Sequence, residues 1–456
     1  MLSRPAKRLH AAARLWMMWA LPLLLPLWLA LALALVAPTT AQAAEAAAFV
    51  IQPADDAWRA ALPRDPEAAT QAYLARLPAA SVARSDAYFE GGYWLQLWNQ
   101  LLGLAIAALL LWTRPSTALR DWADAHLRRR WQRDALYGAA YALAGWVLSL
   151  PLTVYQGFVR EHAYGMATQG FGDWFGQQLI GLAVAVGLTA LGAAVLYAVM
   201  RRAGARWWAW GALTTVAMLA IVILVSPLWI EPLFNRYQPV PDGPARQAVL
   251  AMARASGVPA NEVYVVDASR QTTRVSANVS GLGGLAQVRL NDNLLNRSSL
   301  PEIRAVMAHE IGHYALLHMP KMLLELAALA LLLFACTAWA MRRLLARFGA
   351  RWRLRDEFDI ASLPLLAAVL SLALFIATPI MSTLIREHET EADIFGLNLS
   401  REPLGFAEVM LKLAEYRKTQ PGPVEEFVFF DHPSAHTRIH RAMVWREQML
   451  LPPAAP

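Results

Sequence analysis

The chain has 456 residues, of which 57% are hydrophobic, 18 are Trp and only 16% are charged, too apolar for an ordinary soluble protein and in keeping with several membrane spans. Its formal net charge of +7 comes largely from Arg residues clustered between hydrophobic runs, which indicates bilayer orientation and not nucleic-acid binding. The single cysteine, Cys336, sits inside an apolar run as a small core or lipid-facing residue; it excludes an intrachain disulfide and a zinc site made of several cysteines.

Residues 1–43 begin with Arg4, Lys7, Arg8 and Arg14, continue through an apolar run from Leu15 to Ala37 and end at Ala41-Gln42-Ala43, an A-x-A pattern. They read as a signal peptide or a first membrane anchor. Residues 44–92 are mixed, Ala-rich and punctuated by prolines, an extramembrane segment of modest order. Residues 93–230 then hold four expected transmembrane helices, near 93–113, 136–158, 176–200 and 208–230. Each is long enough to cross a hydrocarbon core of about 30 Å. Two more are expected in 320–385, near 320–341 and 361–385, which with the N-terminal run makes seven.

The loops carry an orientation signal. Arg114, Arg120, Arg128, Arg129, Arg130 and Arg133 follow one span, Arg201, Arg202 and Arg206 another, and Arg342, Arg343, Arg347, Arg351, Arg353 and Arg355 a third. All three clusters share the parity of the basic N-terminus, so the positive-inside rule places them in the cytoplasm. Segment 231–319 and the tail 386–456 then face the periplasm or exterior of an inner membrane.

Segment 231–319 is the first long polar stretch. Gly243 to Ser256 reads as an amphipathic helix ended by Gly257. Val263–Val266 and Val288–Leu290 read as strands, residues 272–280 as an edge strand, and Gly281-Leu282-Gly283-Gly284 as a tight turn. A small mixed sheet packed on the next helix is expected, with an exposed edge on which a peptide could add as a further strand.

That next helix carries the chemistry. Ser299-Leu300-Pro301-Glu302 has a capping-box pattern, and Ile303, Val306, Met307, Ile311 and Leu317 recur at helical spacing. Within it, His309-Glu310-Ile311-Gly312-His313 is an HExxH motif. Residues four apart share a helix face, so His309 and His313 can bind one metal ion, and Glu310 can take a proton from a water beside it. The motif arises by chance in about one chain in a hundred of this kind, so a third ligand is needed. The spacing HExxHxxGxxH fails, because Leu316 and Met319 stand where Gly and His belong. A Glu from a later helix is the other solution. Glu387, Glu389 and Glu391 are candidates, with His388 read as a surface or interfacial residue and His318 as a support to a ligand or a cap on the metal helix.

Taken together, His309–His313, then Arg386-x-x-Glu389-x-x-Ala392-Asp393, then Asp431-His432-Pro433 with Arg438, resemble the CAAX prenyl protease type 1 family of integral-membrane zinc metalloendopeptidases. Phe158 to Gly165, Pro232-Leu233-Phe234, Tyr264 to Ser269 and Leu290 to Leu295 extend the resemblance over residues 88–445. It implies a mainly α membrane protein with a chamber walled by helices, a small α+β peptidase segment and one Zn²⁺ per chain. It further implies His309, His313 and Glu389 as metal ligands and Glu310 as general base. Asp393 would orient a ligand His or donate a proton, and His432 and Arg438 would stabilise an oxyanion or position substrate. The chain differs from the family pattern at Ser276-Ala277-Asn278, Gly165-Met166-Ala167 and Ala286-Gln287, all near peptide-binding elements.

The expected activity is zinc-dependent hydrolysis of peptide bonds, in CAAX-type processing or in quality control of membrane and envelope proteins. The expected partners are a peptide or protein substrate and the lipid bilayer, with no nucleic acid. A catalytically silent scaffold would be expected to lose Glu310 or a ligand, and neither is lost. A transporter would show internal repeats and helices broken at mid-membrane, and no internal repeat is seen.

Overall fold

The computed structural model describes residues 49–281 and 286–452. The readings of residues 1–43 and of the turn at 281–284 therefore lie wholly or mostly outside the described residues.

The chain opens with two short helices, α1 (Asp56–Ala60) and α2 (Pro66–Leu74), each capped by an aspartate side chain, Asp55 and Asp65. Long helices follow: α3 (Ala79–Trp112), the short α4 (Pro115–His126), α5 (Arg130–Ala163), α6 (Phe171–Ala203) and α7 (Trp207–Trp229). A π-helical turn at Tyr155–Val159 interrupts α5. After β1 (Tyr237–Pro239), α8 (Pro244–Ala255), β2 (Val263–Val266), β3 (Ala277–Ser280), β4 (Gln287–Asn291) and α9 (Asp292–Arg297) comes α10 (Leu300–Ala315), which carries HExxH. Two long helices, α11 (His318–Trp352) and α12 (Leu363–Ser400), precede the tail helices α13 (Pro403–Leu413), α14 (Pro423–Phe429) and α15 (Ala435–Met449).

Five stretches of the described chain are long and apolar enough to cross a membrane. One of them, Phe171–Trp229, contains both α6 and α7, separated by a 3₁₀ turn at Gly204–Arg206 and packed on each other. The expected seven spans are thus not reproduced as a count, because the first candidate lies outside the described residues and two others merge into one helical stretch. The fold is a mainly helical integral membrane protein with a small sheet. Large apolar side chains such as Trp98, Leu191, Ile221, Leu324, Leu332 and Ile376 point outward, as a surface facing lipid requires. Cys336 is also exposed, on the face of α11.

The sheet is mixed, in the order β1-β2-β4-β3, with β2 and β4 parallel and both outer pairs antiparallel. Val263, Val288, Leu290, Leu294 and Met252 bury a core against Ile303, Met307 and Ile311 of α10, which fixes the motif helix on the sheet. β3 is an edge strand and packs beside α10. Arg289 of β4 is buried, pairs with Glu231 at 2.6 Å and lies over the Tyr237 ring, tying the sheet to the end of α7. Glu161, at the end of α5, accepts from Tyr88 at 2.6 Å and pairs with Arg274 at 2.6 Å, giving a second tie between sheet and bundle.

The capping box at Ser299 is not formed. The Ser299 hydroxyl donates to the Glu302 carboxylate at 3.0 Å and caps no backbone N–H. Glu302 instead takes Lys412 of α13 as an ion-pair partner, a contact from far along the chain.

Candidate metal centre

Two helices build the site. α10 presents His309 and His313 one turn apart, with Nε2 atoms 3.1 Å from each other. α12 crosses it with Glu389 and Asp393, also one turn apart. The crossing is close because Gly396 faces the backbone of His309: a Cβ there would lie 2.9 Å from the His309 nitrogen. Gly312 makes a matching gap for Phe395, where a Cβ would lie 3.1 Å from the ring. The two glycines let the carboxylates of α12 reach the imidazoles of α10.

Glu389 lies 3.3 Å from His309 Nε2 through one oxygen and 3.3 Å from His313 Nε2 through the other. The three ligand atoms fall within 4.8 Å of one another. Two imidazole nitrogens and one carboxylate are the donor set of a catalytic zinc with an open position. Glu389 Oε2 is buried and makes no hydrogen bond, so a cation among the three would give it the partner it lacks. The residues therefore fit a divalent metal. Glu387, the other carboxylate candidate, is not among the grouped donors; Glu391 falls in a separate group with His318 and His388.

Around this centre lies a further layer. Asp393 is fully buried, with Oδ1 3.0 Å from His309 Nδ1. Arg438 of α15 clamps the same carboxylate at 3.0 and 2.5 Å, and Arg441 adds 2.7 Å. Asp393 is thus fixed as an anion that accepts the His309 Nδ1 proton and leaves Nε2 free for metal. Arg438 is buried and occupied by Asp393, with a longer approach of 3.7 Å to Glu389. His432 puts Nε2 3.4 Å from Glu389 and holds Asp431 through Nδ1 at 2.8 Å. Arg386 donates to the backbone carbonyl of Glu426 at 2.9 Å and to that of Phe430, which seats the segment leading to His432.

Glu310 is half-buried and lines a cavity of about 250 Å³ with Ser276, Ala277, His309, Glu389, Arg417 and His432. Burial raises its pKa above the usual carboxylate range, which suits a group that must take up and return a proton. Burial lowers that of His432. At His309 burial opposes the charged form, but the Asp393 and Glu389 carboxylates outweigh it and lift the pKa to about 9 without a metal.

Several neighbours escaped the sequence reading. Arg441 lies on α15 and Arg417 in the bend after α13, neither with a motif of its own, and only their packing reveals them. His388 is buried, not on the surface, and donates to Glu325 at 3.0 Å. His318 does touch a metal-site histidine, with Nδ1 2.9 Å from His313 Nδ1.

Residues 239–446 match the sequence model of peptidase family M48, and residues 65–236 match that of the CAAX prenyl protease N-terminal region, described as five membrane helices. An uncharacterised metalloprotease of Bacillus subtilis, YhfN, is 27% identical over 73% of this chain and 79% of its own length. CAAX prenyl protease 1 of Saccharomyces cerevisiae is 26% identical over 64% of this chain and 68% of its own. The crystal structure of S. mikatae Ste24p superposes with a TM-score of 0.62 at 18% identity, covering 92% of this chain and 96% of that one, a likeness of fold.

Proposed function

This chain belongs to peptidase family M48 and is a membrane metalloendopeptidase, and from that premise we propose that His309, His313 and Glu389 hold its metal, that the metal is zinc, and that Glu310 is its general base. The observation that carries the ligand assignment is Glu389, whose two oxygens stand 3.3 Å from the two imidazoles across the Gly396 crossing. When bound there, the metal supplies a Lewis acid that acidifies the attacking water and polarises the scissile carbonyl. Glu310 accepts the proton of that water and returns it to the leaving nitrogen. Asp393 keeps His309 in the tautomer that offers Nε2, and Arg438 and Arg441 keep Asp393 ionised and in place.

His432 approaches from the tail. Its Nδ1–H goes to Asp431, so Nε2 donates to a developing oxyanion only when the ring is protonated. The substrate is an extended peptide that adds to the edge strand β3, since Ser276 and Ala277 line the cavity beside Glu310.

The site lies at the start of α11 and toward the end of α12. The Arg clusters gather at the opposite end, where Arg120 pairs with Asp359, Arg201 with Asp134, and Arg355 with Asp124. Some 26 residues of α12 separate Leu363 from Glu389, a rise of about 40 Å. We place the basic end in the cytoplasm of a bacterial inner membrane and the metal centre on the periplasmic side. That placement favours membrane and envelope proteins as substrates over prenylated CAAX tails, which the names of the eukaryotic relatives suggest. An alkaline phosphatase fusion after Pro456 tests it. An active phosphatase supports the periplasmic site, whereas an inactive fusion beside a bright cytoplasmic fluorescent fusion reverses the orientation and restores the CAAX reading. Purifying the Glu310→Gln protein from its own cells and identifying the bound peptides then names the substrate.

A further inference from the structure

A second group of metal-binding side chains lies behind the first, on the far side of His313. His318, His388 and Glu391 each bring one ligand atom within 4.8 Å of the others. The two histidines are almost wholly buried, 2% and 5% exposed, and their rings meet edge to face at 4.6 Å. Leu317 makes the arrangement possible. It takes the left-handed conformation, φ 59°, between α10 and α11, a strained choice for leucine that turns His318 back beneath His313.

The hydrogen bonds fix the protons. His388 Nε2 is 3.0 Å from Glu325 Oε2, and a carboxylate can only accept, so Nε2 carries the proton. Nδ1 of the neutral ring then holds a lone pair, and it is buried without a partner. A carboxylate on one nitrogen and a bare lone pair on the other is how proteins prepare a histidine for a metal. An orphaned buried nitrogen is otherwise an uncompensated cost. Glu391 Oε2 stands 3.0 Å from His318 Nε2 and 3.3 Å from Lys321 Nζ. The Lys321 side chain is about half exposed and free to swing aside for a cation.

We propose that His318, His388 and Glu391 form a second divalent-cation site, of the borderline zinc class that two imidazoles and a carboxylate select, and that its occupancy inhibits the peptidase. The coupling runs through the 2.9 Å contact between His318 Nδ1 and His313 Nδ1, which has room for one proton. With only the catalytic site filled, His313 donates that proton to His318, and His318 donates its Nε2 proton to Glu391. A cation on His318 Nε2 releases the second of these protons to solvent. Two metal-bound rings then compete for the one proton left between them. The sites oppose each other, and the second ion pulls on the ring that holds the first. The enzyme is active with one ion and restrained with two.

The test uses the full chain in detergent, titrated with Zn²⁺ and separately with Co²⁺, in wild type, His388→Leu and Glu391→Gln. Glu391 is exposed, so its variant guards against misfolding of His388→Leu. Bound metal is counted directly, the Co²⁺ absorption spectrum reports coordination, and peptide cleavage is followed in parallel. Wild type should take a second, weaker equivalent and lose at least tenfold of its cleavage rate as it fills. Both variants should stop at one equivalent, keep the wild-type rate at limiting metal and show no inhibition in the same range. A single equivalent in wild type up to millimolar metal overturns the site. Unchanged second binding in both variants overturns the ligand assignment. Two equivalents without inhibition overturn the coupling. None of these outcomes touches the catalytic centre, whose loss would appear as absent cleavage at limiting metal.

Discussion

Replacing Asp393 by Asn tests how the metal centre is held. The substitution keeps the shape of the side chain and removes its charge. In the native protein this fully buried carboxylate meets His309 Nδ1 at 3.0 Å, Arg438 at 3.0 and 2.5 Å and Arg441 at 2.7 Å. Asn leaves the buried Arg438 with only the longer 3.7 Å approach to Glu389 as counter-charge, and breaking a buried pair from one side costs up to about 3–5 kcal/mol. Arg441 is more exposed and water can compensate it in part. The amide can also present its NH₂ to His309 Nδ1 and so favour the wrong tautomer. Loss of such a supporting carboxylate lowers metal affinity or activity about 10–100-fold. The assay is competitive metal titration and thermal unfolding of the detergent-solubilised protein, with Arg441→Gln for comparison. We expect Asp393→Asn to lose at least tenfold in affinity and several degrees in Tm, and Arg441→Gln to lose less of both. Wild-type metal affinity in Asp393→Asn would refute the orienting role.

Other expectations follow from the same geometry. Gly396→Ala puts a methyl group 2.9 Å from the His309 backbone nitrogen and should separate α12 from α10, at a cost of about 1–3 kcal/mol; metal content should fall with it, while Gly92→Ala, with open space around it, should change neither. Without metal, His309 has its pKa raised from 6.5 to about 9. The metal-free protein should therefore keep this contribution to stability below about pH 6.5 and lose it as the pH rises through about 9, measured by Tm against pH. Because metal must displace the same proton, affinity should weaken about tenfold for each unit of pH below 9 while His309 alone titrates. His432→Ala should keep its metal and lose up to about 10²-fold in kcat, the usual cost of one oxyanion donor, chiefly at acidic pH, because burial lowers the pKa of the ring and Nε2 donates only when it is protonated; a kcat unchanged at every pH would leave His432 as a turn residue before Pro433.

What could be read from the sequence was local. His309 and His313 reveal their helix by spacing, and the apolar runs announce their helices by length. Val263–Val266 shows as a strand by its short β-branched and aromatic run, and the segment around Val288 by its alternation, both short-range signals. Long-range contacts were not readable. Ser299 and Glu302 match a capping box, yet Glu302 faces Lys412, a partner 110 residues away, and the box does not form. α3 begins at Ala79, well before its apolar run, because its polar first turns dock on the tail: Ser85 donates to the Arg417 carbonyl, and Lys418 pairs with Glu90. His388 looks like a surface residue among Arg386, Glu387 and Glu389, and only the approach of Glu325 on α11 explains its burial.

Cleavage rate per bound metal ion in Glu310→Gln addresses the central claim most directly. Wild type and variant are loaded with one equivalent of Zn²⁺, the bound metal is counted, and hydrolysis of an unfolded protein such as casein is measured on the same samples. The Gln side chain occupies the place of Glu310 in the cavity and leaves His309, His313 and Glu389 untouched, so equal metal is expected in both. It cannot accept the proton of the attacking water, so the rate per metal ion should fall by about 10²–10⁴-fold. A variant that cleaves at the wild-type rate with its metal in place would contradict Glu310 as the base.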